Sequence, residues 1–416
     1  MKKTITIIAF LSIMVGQKIL IPMDITQTDH LKSYGVAFLI LEKNINVEWL
    51  LNYRGGSFLV DNYPMIEREC KLRDVKYETV NASQLGSIYG EIDQNNMDIV
   101  LLEKAPDIAV YSPPDLQPWD DAVTLALSYA EIEYDVVFDH EVLIGKLDDY
   151  DWLHLHHEDF TGQYGKFHRS YKNSAWYQKQ KADFEMTAQQ HGFASVPELK
   201  KAVALKIREY AVGGGFLFAM CSATDSFDIS LASTNVDITA SIYDGTPVDP
   251  GYQSKLDFNR SFAFENYQLY TDPMVYEYST IDIPPSHKPV THGAEADYFT
   301  LFEFSAKWDP VPTMLTQDHV GVINGFMGQT TAYNRQTLKK SVVIMAEVEN
   351  TDIVKYVHGN VGKGTYTFLG GHDPEDYQHY VGDPPTDLSL HRNSPGYRLI
   401  LNNVLFPAAR KKERKT

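Results

Sequence analysis

Short apolar runs alternate with amphipathic stretches along most of the chain. Lys18 to Asp24 (KILIPMD) is a brief apolar run closing on an acid, and Leu31, Tyr34, Ala37/Phe38 and Leu41 follow at three- and four-residue steps. That pattern predicts a strand and then a helix. Val47 to Tyr53 reads as a second strand and Met65 to Leu72 as a helix. Tyr77 to Val80 and Met97 to Leu102 read as strands around a short helix, so residues 18–105 form a small α/β unit. The Arg54-Gly55-Gly56-Ser57 link has the composition of an anion-cradling loop, although a Gly-Gly pair more often makes only a turn.

Residues 106–410 read as a second unit. Ile108 to Tyr111 is its first strand, followed by a helix from about Trp119 whose Ala122, Leu125, Ala126 and Tyr129 share a face. Strands recur at Tyr134 to Phe138 and Asp151 to His157. Ser195-Val196-Pro197-Glu198 has the Ser and Glu of a capping box and opens a helix that stops at Gly213. Gly213-Gly214-Gly215 then feeds the apolar strand Phe216 to Met220 directly into Cys221. From about 226 to 335 the pattern loosens into aromatic, β-prone pieces such as Tyr267 to Tyr278, an expected insertion. The core resumes with Ser341 to Val348, Gly364 to Leu369 and a final helix from Pro395 through Leu405. Apolar strands alternating with helices predict a mostly parallel sheet with helices on both faces.

Composition adds the compartment. Lys2 and Lys3, the apolar run Ile5 to Val15 and the small Gly16 make residues 1–17 an export signal, too short for a comfortable membrane span. No Cys stands near the expected cut, so a periplasmic or secreted protein without a stable membrane anchor is expected. The formal charge of −18 speaks against nucleic-acid binding, and the basic tail 411–416 reads as a solvated end. Of the two cysteines, Cys70 and Cys221, neither is needed as a disulfide to hold a chain of 416 residues.

In parallel α/β sheets ligands bind beyond the carboxyl ends of strands, which singles out three segments. The first is Cys221 with Ser222, Thr224 and Asp225. A Cys where a strand turns sharply into a helix gains from the helix N-terminal field and suits a nucleophile; the bland alternative is a small buried residue. The second is Gly370-Gly371-His372, with His372 as base and Glu375 or Asp376 as the orienting carboxylate. The third is His154, His156, His157, Glu158 and Asp159, where imidazole and carboxylate together suit zinc or a similar divalent metal, the candidate ligands being His154, His156 and His157. Hydrogen-bonded structural histidines are the alternative there.

Gly213 to Cys221, Gly364 to His372 and the closing helix resemble the class I glutamine-amidotransferase-like superfamily, in particular its trehalose-utilisation-like branch, over about residues 107–410. That resemblance implies a flavodoxin-like sheet and a Cys221, His372, Glu375 triad. The amidotransferases set their nucleophile between glycines and space His and Glu two apart; here Ala219 and Ala223 flank the Cys and Glu375 follows His372 by three. Through Glu48 to Phe58 and Asp151 to Lys166 the whole chain also resembles exported bacterial proteins that carry the label asparagine synthetase B. The N-terminal Cys and Ser-Gly-Gly-x-Asp-Ser loop that such a synthetase needs are missing from the sequence.

The expectation is therefore an exported amidotransferase-like hydrolase acting on an amide, ester or glycan-derived small molecule. The alternative is a binding protein that holds a carbohydrate or peptide on its aromatic-rich insertion.

Overall fold

The computed structural model describes residues 17–114, 120–283, 298–317, 320–324, 328–376 and 381–409. The export signal, apart from Gln17, and the basic tail lie outside the described residues, as do Trp119 and residues 284–297 of the expected insertion. Among the described residues no helix is long and apolar enough to cross a membrane.

Two sheets carry the fold. The first contains β1 (Lys18–Ile21), β2 (Val47–Leu51), β3 (Ser57–Asp61), β4 (Glu78–Val80) and β5 (Asp98–Leu102) in the order β4-β1-β3-β2-β5. Every pairing in it is antiparallel. The second contains β6 (Ile108–Tyr111), β7 (Asp135–Val137), β8 (Trp152–Leu155), β9 (Phe216–Met220), β10 (Tyr298–Leu301), β11 (Val322–Asn324), β12 (Tyr333–Asn334), β13 (Val343–Glu347), β14 (Ile353–Val361) and β15 (Gly364–Leu369). Its order is β11-β10-β13-β14-β15-β9-β8-β6-β7, with β12 on β14.

These sheets overturn the expectation of a mostly parallel, flavodoxin-like sheet with helices on both faces. Only β7, β6, β8, β9 and β15 run parallel, and the other half of the large sheet is antiparallel. The cause is local. Parallel neighbours need a long crossover, whereas Val361 pairs with Gly364 across the two-residue turn Gly362-Lys363, which forces β14 back against β15. The stretch expected to be an insertion supplies β10, β11 and β12 to that same sheet.

Side chains of β8 and β9 alternate between two cores. Trp152, Phe218 and Met220 join the core of the helices His30–Glu42, Ala122–Ala130 and Pro395–Leu405, while Leu153, Leu155, Leu217 and Ala219 join that of Val196–Gly213 and Ser222–Ala232. The first core also takes Trp49 and Phe58 from the small sheet, so apolar surface is shared between the two sheets. Each such large side chain contributes roughly 1.5–3 kcal/mol by leaving water.

A polar clamp supplements that packing. The buried Arg398 donates from Nη2 to the Gly55 carbonyl (2.5 Å) and from Nη1 to that of Met23 (3.3 Å). The Arg54 guanidinium pairs with Asp24 (2.6 Å) and Glu78 (2.9 Å), so the Arg54 to Ser57 loop is engaged as a structural turn. A Cβ on Gly55 would stand 2.1 Å from the Met23 carbonyl oxygen, which explains the glycine.

Candidate functional site

The carboxyl ends of β8, β9 and β15 lie side by side because those strands pair in parallel. The residues after them therefore meet at one edge. Cys221 follows β9 and is the N-cap of Ser222–Ala232. Its backbone is in the left-handed region (φ 51°, ψ −138°), the strained strand-to-helix elbow that suits an activated side chain. The residue is 2% exposed. Burial pushes the thiol up, against the backbone N–H groups of Thr330, Gln329 and Ser222, which favour the thiolate. Neither cysteine is in a disulfide, and burial pushes the Cys70 thiol up to about 12.

His372 faces the same place. A Cβ built on Gly328 (φ 153°) would lie 3.0 Å from both the Cys221 Sγ and the His372 Cβ, so the thiol and the root of the His372 side chain flank one glycine. Gly370 gives the loop its close approach: a Cβ there would be 2.6 Å from the Thr331 carbonyl oxygen, and the Gly371 N–H donates to Thr330 (2.8 Å). The His372 Nε2 lies 2.9 Å from the Asp120 carbonyl oxygen and 2.7 Å from the His157 Nε2. Glu375 turns its carboxylate to His391 (3.2 Å).

β8 ends at Leu155, so His156 and His157 lie beyond the strand. Their rings stack with centroids 3.8 Å apart, and His372 stacks on both at 4.3 and 4.1 Å. His157 Nε2 lies 2.8 Å from the Asp120 carbonyl oxygen. His154 sits within β8, between the Phe218 carbonyl and Asp121 (3.2 Å each), and burial lowers its pKa against the pull of Asp121.

Asp121 ties these imidazoles together. Its Oδ1 caps the helix Ala122–Ala130 by accepting the N–H groups of Val123 (2.7 Å) and Thr124 (3.0 Å), while its Oδ2 meets His154 (3.2 Å) and His156 (3.1 Å). Burial works to raise this carboxyl, but the His156 and His154 contacts prevail and hold it well below the usual range.

The remaining candidates play other parts. Ser222 Oγ donates to the His157 carbonyl (3.1 Å) and Thr224 Oγ1 to that of Cys221 (2.7 Å). Asp225 accepts from Thr330 Oγ1 (3.0 Å), and burial raises its carboxyl well above the usual value. Asp159 closes its own turn by accepting from Thr161 N (2.7 Å) and Gly165 N (3.0 Å). Glu158 is pushed up to about 8 by burial, with the opposing charge of Lys200 the next contributor. Asp120, Asp121, Gly328, Gln329 and Thr330 escaped the sequence reading. Of these, only Asp121 carried a signal, an acid directly before an apolar helical run.

No protein-family model matches the chain, and no curated protein matches it. Among solved structures it is similar to a cytoplasmic protein from Salmonella typhimurium at 11% identity and a TM-score of 0.35, over 74% of this chain and 100% of that one. A second cytoplasmic protein, from Salmonella typhimurium LT2, matches at 11% identity and a TM-score of 0.30, over 73% of this chain and 100% of that one. A GH42 β-galactosidase matches at 10% identity and a TM-score of 0.29, over 65% of this chain and 28% of that one. The likeness is slight in every case.

Proposed function

We propose that the protein is an exported hydrolase of amidotransferase-like chemistry, cleaving an amide, ester or glycan-derived small molecule through Cys221. The reading is carried by Gly328, a position that touches the Cys221 sulfur on one side and His372 on the other. A thiol raised by burial needs a base, and the one we assign is His372, whose Cβ and backbone N–H stand across Gly328 from the sulfur. His372 takes the Sγ proton, the sulfur attacks the carbonyl carbon, and the leaving amine or alcohol departs with that proton. Water, deprotonated by the same imidazole, then cleaves the thioester and frees the acid. The N–H groups of Ser222, Gln329 and Thr330 hold the sulfur's negative charge before attack. Export rests on Lys2, Lys3 and the Ile5 to Val15 run.

One observation favours a second reading, a binding protein without catalysis: the thiol is almost wholly buried, and that burial works against the thiolate. A screen of small amides, esters and oligosaccharide derivatives, run beside alkylation of Cys221, separates the two. Hydrolysis lost in Cys221→Ser, with alkylation slowed roughly tenfold or more in His372→Ala, supports the hydrolase. Equal alkylation rates in folded wild type and His372→Ala, without turnover of any compound, leave the binding reading.

A further inference from the structure

We infer that His156, His157 and His372 hold one divalent transition-metal ion of the zinc class, with Asp121 orienting His156. The inference goes beyond the thiol reading, because ion binding needs neither Cys221 nor turnover.

One ring nitrogen from each of the three histidines lies within 4.8 Å of the others. Zinc–nitrogen bonds of ~2.0–2.1 Å set neighbouring ligand atoms roughly 3.3 Å apart in a tetrahedron, so one small ion can reach all three after slight adjustment. The proton count at the centre points the same way. The Nε2 atoms of His157 and His372 face each other at 2.7 Å, and both face the Asp120 carbonyl oxygen, at 2.8 and 2.9 Å. If both nitrogens donate to that oxygen, two N–H groups are driven together; if one donates to the other, the accepting nitrogen carries no proton and faces the carbonyl oxygen lone pair to lone pair. An ion that accepts both nitrogen lone pairs removes the conflict and gives the carbonyl oxygen a cation to face.

His156 supplies the independent observation. It is 1% exposed, its Nδ1 lies 3.1 Å from Asp121 Oδ2, and neither of its ring nitrogens has a hydrogen-bond partner of good geometry. A buried imidazole with one nitrogen beside a carboxylate and the other bare among two further imidazoles is the arrangement that orients a histidine toward a metal. The helix cap made by Asp121 Oδ1 keeps that carboxylate in place. An ion so placed takes the His372 Nε2 lone pair, so metal-loaded and metal-free protein differ in the base available to Cys221.

The test uses the full mature chain, stripped with chelator and titrated with Zn2+ alone, then with Co2+ for its visible spectrum. One ion per chain at micromolar affinity is expected, with the intense visible bands of four-coordinate Co2+. His156→Ala should abolish binding, and Asp121→Asn, which preserves the helix cap, should weaken it roughly ten- to a hundredfold. If His156→Ala fails to fold, His157→Gln is read in its place. Cys221→Ser should bind as wild type does, so a failed thiol reading leaves this result intact. No ion bound by folded wild type, or equal affinity in a folded histidine variant, overturns the inference.

Discussion

Gly328 and Cys221 are packed so closely that a single added carbon on the glycine would stand 3.0 Å from the sulfur, on a backbone with φ 153°. Gly328→Ala is therefore expected to cost about 1–3 kcal/mol in strain and contact. It should also displace the thiol from His372. Chemical denaturation gives the first quantity and the alkylation rate of Cys221 the second; a variant indistinguishable from wild type in both would show that this approach is unimportant.

Arg398 donates to two backbone carbonyls near the small sheet, from a position 1% exposed. Arg398→Met leaves both acceptors buried and should destabilise the protein by about 3 kcal/mol. Arg398→Lys, a point donor unable to span both, should recover only part. Urea midpoints of the three proteins check the order.

Lys200 and Asp139 form a buried pair at 3.0 Å, with Tyr111 bonded to the same carboxylate. Removing one partner strands a charge, so Lys200→Met should cost about 3–5 kcal/mol. Lys200→Met combined with Asp139→Asn should be milder than the sum of the single changes. A double-mutant cycle measures the difference, and strict additivity would contradict the coupling.

His358 on β14 lies against Thr367 Oγ1 (2.9 Å), and burial lowers it from 6.5 to about 3. The folded protein keeps this imidazole neutral while the unfolded chain binds a proton below 6.5. Its contribution is thus fully present above pH 6.5 and lost as pH falls toward 3, at ~1.4 kcal/mol per pH unit at most. His358→Gln should flatten that part of the stability–pH curve, measured by denaturant unfolding at several pH values.

Elements whose signal is local were legible in the sequence. Phe216 to Met220, the helix closed by Gly213 and Gly214, and the last helix all formed as their periodicity and caps dictate. Strand direction is different, because it depends on partners. β14 (IVKYVHGNV) mixes Lys355, His358 and Asn360 into an apolar run, which hid a long strand whose return turn reverses half the large sheet. The site divides in the same way. Cys221, His156, His157 and His372 follow strands and were visible, whereas Asp120 and the Gly328 to Thr330 segment reach the site only through tertiary folding. Asp121 caps its helix with one oxygen, a role its place before an apolar helical run would have allowed, while its second oxygen serves the histidines.

The bond from Arg398 to Gly55 spans 343 positions of sequence. The side of the small sheet facing that helix is thus finished by a segment that leaves the ribosome 343 residues after Gly55. Until Pro395–Leu405 arrives, Trp49, Phe58 and the helix His30–Glu42 have no complete cover, whatever their own propensities. Folding so dependent on distant closure is slow and late. The small sheet is consequently a passenger of the helix Pro395–Leu405, and a chain interrupted before residue 395 should remain a substrate for proteases and chaperones across that sheet.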